Sequence, residues 1–250
     1  VRISIVSFLN SFPYVVALER LAITQPVQLF KDTPARCAQR LLNDEADIGL
    51  LPVAVIPQLK EHYLVSDFCI GAVREVRSVM IFSEVPIQQV KQIVLDPQSR
   101  TSALLAQIMA HSYWKITPVF VTGNGLSEPN LSGPTAELII GDKALMLQGK
   151  FPYQYDLATA WNDFTGLPFV FACWVSNKPV DSAFLKQFNT ALHQGVSNRA
   201  ALAMLCQVPG LSEAIKADYL NRIIRYHLDD DMKKGMNRFL TMIQQMCLLV

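Results

Sequence analysis

The first 52 residues alternate in a way that few folds accommodate. Three short apolar runs, residues 3–6, 27–30 and 47–51, are separated by helical stretches over 14–21 and 34–43. Strand, helix and strand in succession return the second strand in the direction of the first, so the pattern predicts a parallel sheet. Thr33 is placed to cap the second helix and Pro34 to occupy its first turn. The loop after the first strand carries Asn10 and Ser11 ahead of Pro13. Ligands of open α/β sheets sit at the carboxyl ends of strands, where helix N-termini offer unpaired N–H groups. Asn10 and Ser11 are therefore expected at a binding crevice.

Two β-rich segments, 68–73 and 78–82, flank a charged bend at 74–77. A second alternating unit follows: strand 92–95, helix 101–112, strand 117–121, a Gly/Asn/Ser/Pro-rich loop at 122–135, and strand 137–140. Gly141 and Asp142 read as a turn before a short helix at 143–147; a helix at 158–164 and a strand at 169–175 come next. Helices over 182–198, 200–207, 212–221 and 230–248 complete the chain. The Asp229–Asp231 run reads as the acidic first turn of the last helix rather than a cation site. The layout predicts two α/β lobes, one discontinuous (1–78 plus 176–250) and one inserted (79–175), joined by two crossings around a hinged cleft.

Composition narrows the functional classes. With 51% hydrophobic residues over 250 positions, a sizeable core is available, and a net charge of +1 without a basic, aromatic-studded stripe argues against nucleic acid as partner. The longest apolar stretch, 167–175, is far short of a membrane span and reads as a buried strand. Five scattered cysteines without C-x-x-C spacing fit free thiols in a reducing, cytoplasmic setting better than disulfides or zinc. The four histidines lack ligand spacing, so no metal is expected. No G-x-S-x-G elbow, phosphate loop or strand-linked G-x-G-x-x-G occurs; Gly123 and Gly125 form an isolated G-x-G.

Two further segments can build a site. Residues 96–102, D-P-Q-S-R-T-S, follow a strand and open a helix. The hydroxyls of Ser99, Thr101 and Ser102, the Arg100 guanidinium and free N–H groups suit an anion; the plainer reading makes Ser99 an N-cap and Arg100 a solvent residue. Phe169, Phe171 and Trp174 in the strand at 169–175 can line a cleft for a planar ring or simply fill a core. No glutamate pair at useful spacing announces general acid–base chemistry.

Taken in order, F-L-N-S-F-P, K-D-T-P-A, A-D-I-G-L-L-P-V, V-R-S-V-M-I-F-S, S-R-T-S, I-G-D-K-A-L and D-L-A-T-A-W-N-D-F-T-G-L-P-F-V-F-A-C-W resemble the chorismate dehydratases of the futalosine route to menaquinone. The resemblance runs from residue 3 to about 177 and implies a type 2 periplasmic-binding-protein-like fold turned enzyme. It implies a lyase that converts chorismate, a dicarboxylate, to 3-[(1-carboxyvinyl)oxy]benzoate and water without a cofactor. It matches Asn10 to the first-loop asparagine and Ser78 to the crossing-strand serine, both as catalytic candidates. It also matches residues 99–102 to an anion-binding turn and Gly141 with Asp142 to a second cleft loop. Ser11 and Phe169 complete the expected substrate contacts. Arg77, with Arg74 and Glu75, makes the bend more charged than the family pattern. Two other readings remain: the naphthoate-forming lyase of the same pathway, whose expected Pro-Cys-Pro-Asn-Asp first loop is missing here, and a solute-binding protein for an anionic ligand.

Overall fold

The computed structural model describes residues 1–124 and 131–246. Gly125, Cys247, part of the 122–135 loop and the end of the helix read over 230–248 lie outside the described residues. The elements in chain order are β1 (Arg2–Val6), α1 (Phe12–Thr24), β2 (Gln28–Asp32), α2 (Pro34–Leu42), β3 (Ile48–Pro52), β4 (Tyr63–Ala72) and β5 (Val79–Ser83). Next are β6 (Gln92–Leu95), α3 (Arg100–Ile108), β7 (Val119–Thr122), β8 (Thr135–Ile140), α4 (Gly141–Met146), β9 (Tyr153–Asp156) and α5 (Leu157–Thr165). The remainder are β10 (Phe169–Ser176), α6 (Ser182–Ser197), α7 (Arg199–Leu205), α8 (Glu213–Asp218), β11 (Arg225–His227) and α9 (Asp230–Gln245).

The chain divides into two compact units, Val1–Gly71 with Val170–Asp229, and Ala72–Phe169 with Asp230–Val250. The first is built on a six-stranded sheet in the order β11-β4-β10-β3-β1-β2. β1 runs parallel to β2 (Arg2↔Gln28) and to β3 (Ile3↔Ile48), as the alternation predicts, while β10 is antiparallel to β3 (Trp174↔Leu50). Every residue of β3 is buried, which is why its sequence is continuously apolar rather than alternating. Gly49 keeps α2 close to this strand: a Cβ there would lie 2.5 Å from Leu41 Cδ1. Gly195 of α6 does the same at the α1 crossing, where an added Cβ would run into the Pro13 carbonyl oxygen. The core centres on Tyr14, edge-on to Phe68, Trp174 and Tyr226 at 5.4–6.3 Å.

The second unit has a five-stranded sheet, β7-β6-β8-β5-β9. β6 is parallel to β7 and β8, and β5 is antiparallel to β8 and β9. Met80, Phe82, Ile139 and Ala144 form one core cluster. Trp161, Phe169 and Phe239 form another, with ring centroids 4.9–6.1 Å apart. Phe239 brings α9 into this unit, and Gly235 lets the helix approach the Pro168 carbonyl. The sequence alone groups residues 230–250 with the first lobe, because nothing in an amphipathic terminal helix names its partner.

Three local differences have simple causes. β9 and β11 are sheet-edge strands of 4 and 3 residues, too short to display a period of two. The helices read over 101–112 and 212–221 end in π turns, Met109–Tyr113 and Tyr219–Ile223. Residues 141–142 open α4 rather than form a separate turn, with Gly141 at a left-handed φ of 68°.

Candidate active site

In the first unit, β1 delivers the chain into a 3₁₀ turn, Leu9–Ser11. The fully buried Ser11 hydroxyl donates to the Val6 carbonyl at 2.6 Å, tying the loop back to the strand end. Its proton is thereby committed to the backbone. Asn10, half-buried, is the polar side chain this anchored loop presents. Its carboxamide Nδ2 donates to the Tyr219 hydroxyl at 3.4 Å, and its backbone carbonyl accepts from the Tyr226 hydroxyl at 2.8 Å. Neither tyrosine was singled out from the sequence, since both lie more than 200 positions from Asn10.

In the second unit, sheet register gathers candidates that the sequence scatters. Val79 of β5 pairs with Ile140 of β8, and the Gly141 N–H donates to the Ser78 carbonyl at 2.8 Å. β6 runs parallel beside β8, so the 99–102 segment leaves the sheet at the same edge as Gly141, Asp142 and Ser78. Ser99 caps α3: its Oγ accepts from the Ser102 N–H at 3.2 Å and donates to the Ser102 hydroxyl at 2.7 Å. Ser78, Ser99, Thr101 and Ser102 are all buried, and Arg100 is half-buried. Ser99 is thus the N-cap of α3. Phe169 is 1% exposed, with its ring against Trp161 and Phe239, and Trp174 is wholly buried between Tyr14 and Phe188. Both occupy cores.

The bend before Ser78 depends on a residue the sequence reading passed over. Asp156 Oδ2 accepts from the Val76 and Arg77 N–H groups at 2.9 and 2.6 Å, and Oδ1 accepts from Ala158 and Thr159 at 2.9 and 3.1 Å. One carboxylate therefore caps α5 and holds the bend, where Arg77 takes a left-handed φ of 57°. Burial pushes the Asp156 carboxyl above its ordinary range, against four donors that favour the charged form. The Arg77 guanidinium itself pairs with Glu75 at 2.6 Å, both half in solvent. An Asp directly before an apolar helical run is a readable N-cap signal; its second pair of donors is not readable.

Two carboxyls also meet here. Val94 pairs with Glu137 across β6 and β8, and Asp96 follows two residues later, just past the end of β6. Burial raises both carboxyls; Lys143 opposes the shift at each, and Asp96 adds to it at Glu137. An oxygen of Asp96 is engaged by the Gln98 N–H at 2.8 Å. The sequence spacing concealed this pair because the sheet makes it.

Much of the family-like motif content is scaffold. Asp32 of K-D-T-P-A accepts from Ser4 Oγ at 2.7 Å and Arg40 Nε at 2.6 Å, and Thr33 caps α2. Asp47 of A-D-I-G-L-L-P-V pairs with Arg2 and Lys178 at 2.7 and 2.8 Å. Trp161 donates to the Pro168 carbonyl at 3.2 Å, and Gly166 ends α5 with a left-handed φ of 71°. Cys37, Cys69, Cys173 and Cys206 are buried and form no disulfide, and burial pushes the Cys37 and Cys173 thiols up to about 12. Among the described residues, no group of three His, Cys, Asp or Glu is placed to hold a metal, and no helix is long and apolar enough to cross a membrane.

Comparison with known proteins agrees with these motifs. A chorismate dehydratase from Thermus thermophilus is 26% identical over 259 residues, covering 91% of this chain and 94% of the relative. One from Campylobacter jejuni is 27% identical, covering 73% and 71%. A solved structure from Archaeoglobus fulgidus superposes with a TM-score of 0.77 at 11% identity, over 99% of this chain and 98% of that one. The periplasmic aliphatic sulphonate-binding protein of Escherichia coli does so with 0.62 at 15%, over 99% and 87%. These likenesses establish a mixed α/β fold of the periplasmic-binding-protein kind, as the motifs implied. The family profile described as menaquinone biosynthesis matches residues 1–245, and the chain belongs to that family.

Proposed function

We propose that this protein is a chorismate dehydratase acting in the futalosine route, a lyase releasing 3-[(1-carboxyvinyl)oxy]benzoate and water. The observation that carries the reading is the likeness to a chorismate dehydratase along 91% of the chain. The reaction breaks the ring C3–H and C4–O bonds and forms an aromatic ring. It is redox-neutral, and aromatisation drives it, so positioning supplies much of the catalysis. In this reading Asn10 and Ser78 orient the substrate and assist departure of the C4 hydroxide. The substrate's own enolpyruvyl carboxylate takes the C3 proton. The α3 N-terminus at residues 99–102, with Arg100, and the Gly141–Asp142 loop hold carboxylates. The buried, unbridged thiols suit a cytoplasmic biosynthetic enzyme.

The test is to incubate the purified protein with chorismate, with neither metal nor cofactor added, and to follow products by mass and ultraviolet absorbance. Loss of one water with an aromatic product supports the reading. Unchanged chorismate from folded protein across several pH values refutes it and moves the assignment to a sister lyase or a solute-binding protein.

A further inference from the structure

We propose that Tyr219 and Tyr226 are positioning residues for Asn10, making the 219–226 segment part of the site; the inference rests on the role assigned to Asn10 above. A carboxamide on a loop orients a substrate only if its own rotation is restrained. Two hydroxyls supply that restraint, one at the backbone carbonyl of Asn10 and one at its Nδ2.

Both hydroxyls are aimed from a rigid base. Tyr226 is 3% exposed and stacked edge-on to Tyr14, whose own hydroxyl is held by the Cys69 carbonyl at 2.8 Å. Tyr219 is 2% exposed and opens the π turn Tyr219–Ile223. Such turns place side chains where a regular helix would not, and they recur at functional sites. Ser11 Oγ lies 3.4 Å from Asn10 Oδ1, but its single proton goes to Val6 at 2.6 Å. The carboxamide oxygen and one N–H of Asn10 therefore remain for a ligand, with the group's rotation set by Tyr219. Ring packing alone does not need either hydroxyl, since phenylalanine would preserve it.

The experiment is a double-mutant cycle on the full chain with chorismate. Tyr219→Phe should lower kcat about threefold to tenfold, the worth of one hydrogen bond, with KM within about twofold. In an Asn10→Ala background the same change should have no further effect. An equal loss in both backgrounds overturns the proposal. A substrate-free arm uses 15N-asparagine labelling, with the Asn10 side-chain resonances identified by their disappearance in Asn10→Ala. Tyr219→Phe should shift them; unchanged resonances overturn the proposal even if wild-type turnover is normal. A wild-type protein that leaves chorismate untouched refutes the dehydratase reading, and the resonance shift then decides the positioning role by itself.

Discussion

Replacing Asp156 should do more damage than its place at the start of a helix implies. Asp156→Ala removes the acceptor of four backbone N–H groups. Loss of the α5 cap, at Ala158 and Thr159, costs about 1 kcal/mol. The Val76 N–H is on a residue only 1% exposed, so leaving it unsatisfied costs about 1–3 kcal/mol. The Arg77 N–H is nearer solvent and costs less, but its left-handed backbone, φ 57°, loses its anchor. The sum is about 2–5 kcal/mol. Asp156→Asn keeps one oxygen and turns an NH₂ toward the other pair of donors, so about half of that loss is expected. Denaturant unfolding with an unchanged slope measures both. A loss under about 1 kcal/mol for Asp156→Ala would refute the reasoning, because the bend would then hold itself.

Gly195→Ala drives a Cβ into the Pro13 carbonyl oxygen, a backbone atom that cannot swing aside; a destabilisation of about 1–3 kcal/mol is expected by thermal or denaturant unfolding. Burial raises the Asp47 carboxyl, but hydrogen bonds from Arg2 and Lys178 outweigh this and hold it well below the usual range. Its stabilisation is therefore fully present above about pH 4, the unfolded value, and fades as pH falls below it. Asp47→Asn should lower stability at neutral pH and flatten the acid limb of a stability–pH curve; an unaltered limb counts against the ion-pair account. Asn10→Ala and Ser78→Ala should each cut chorismate turnover at least tenfold if each stabilises the transition state by one charge-assisted hydrogen bond. Full turnover by both, with normal substrate binding, removes them from the mechanism.

The short-range features of this chain are legible because their causes are short-range. Alternating apolar runs specify β1 to β3, the Thr33-Pro34 start specifies α2, and the left-handed stop at Gly166 ends α5. The W-x-x-x-T-G-L-P-F run that most marks the family is legible for the same reason. It is a helix end with a left-handed glycine stop whose capping and turn contacts lie within a few residues, although its tryptophan and Phe169 also pack on the distant Phe239. The ordered motifs were enough to indicate the family.

What the tertiary structure decided is which distant groups meet. Sheet register set Glu137 near Asp96 and the Gly141 N–H on the Ser78 carbonyl. One aspartate joined a helix start to a bend 80 positions earlier. Packing of Phe239 on Trp161 and Phe169 assigned the last helix to the second unit. Folding brought Tyr219 and Tyr226 to Asn10. A tyrosine reads alike in the sequence whether its hydroxyl faces water or a loop carbonyl. Hydrogen bonds between residues far apart in the chain leave no periodicity or spacing behind, so only the packed fold reveals them.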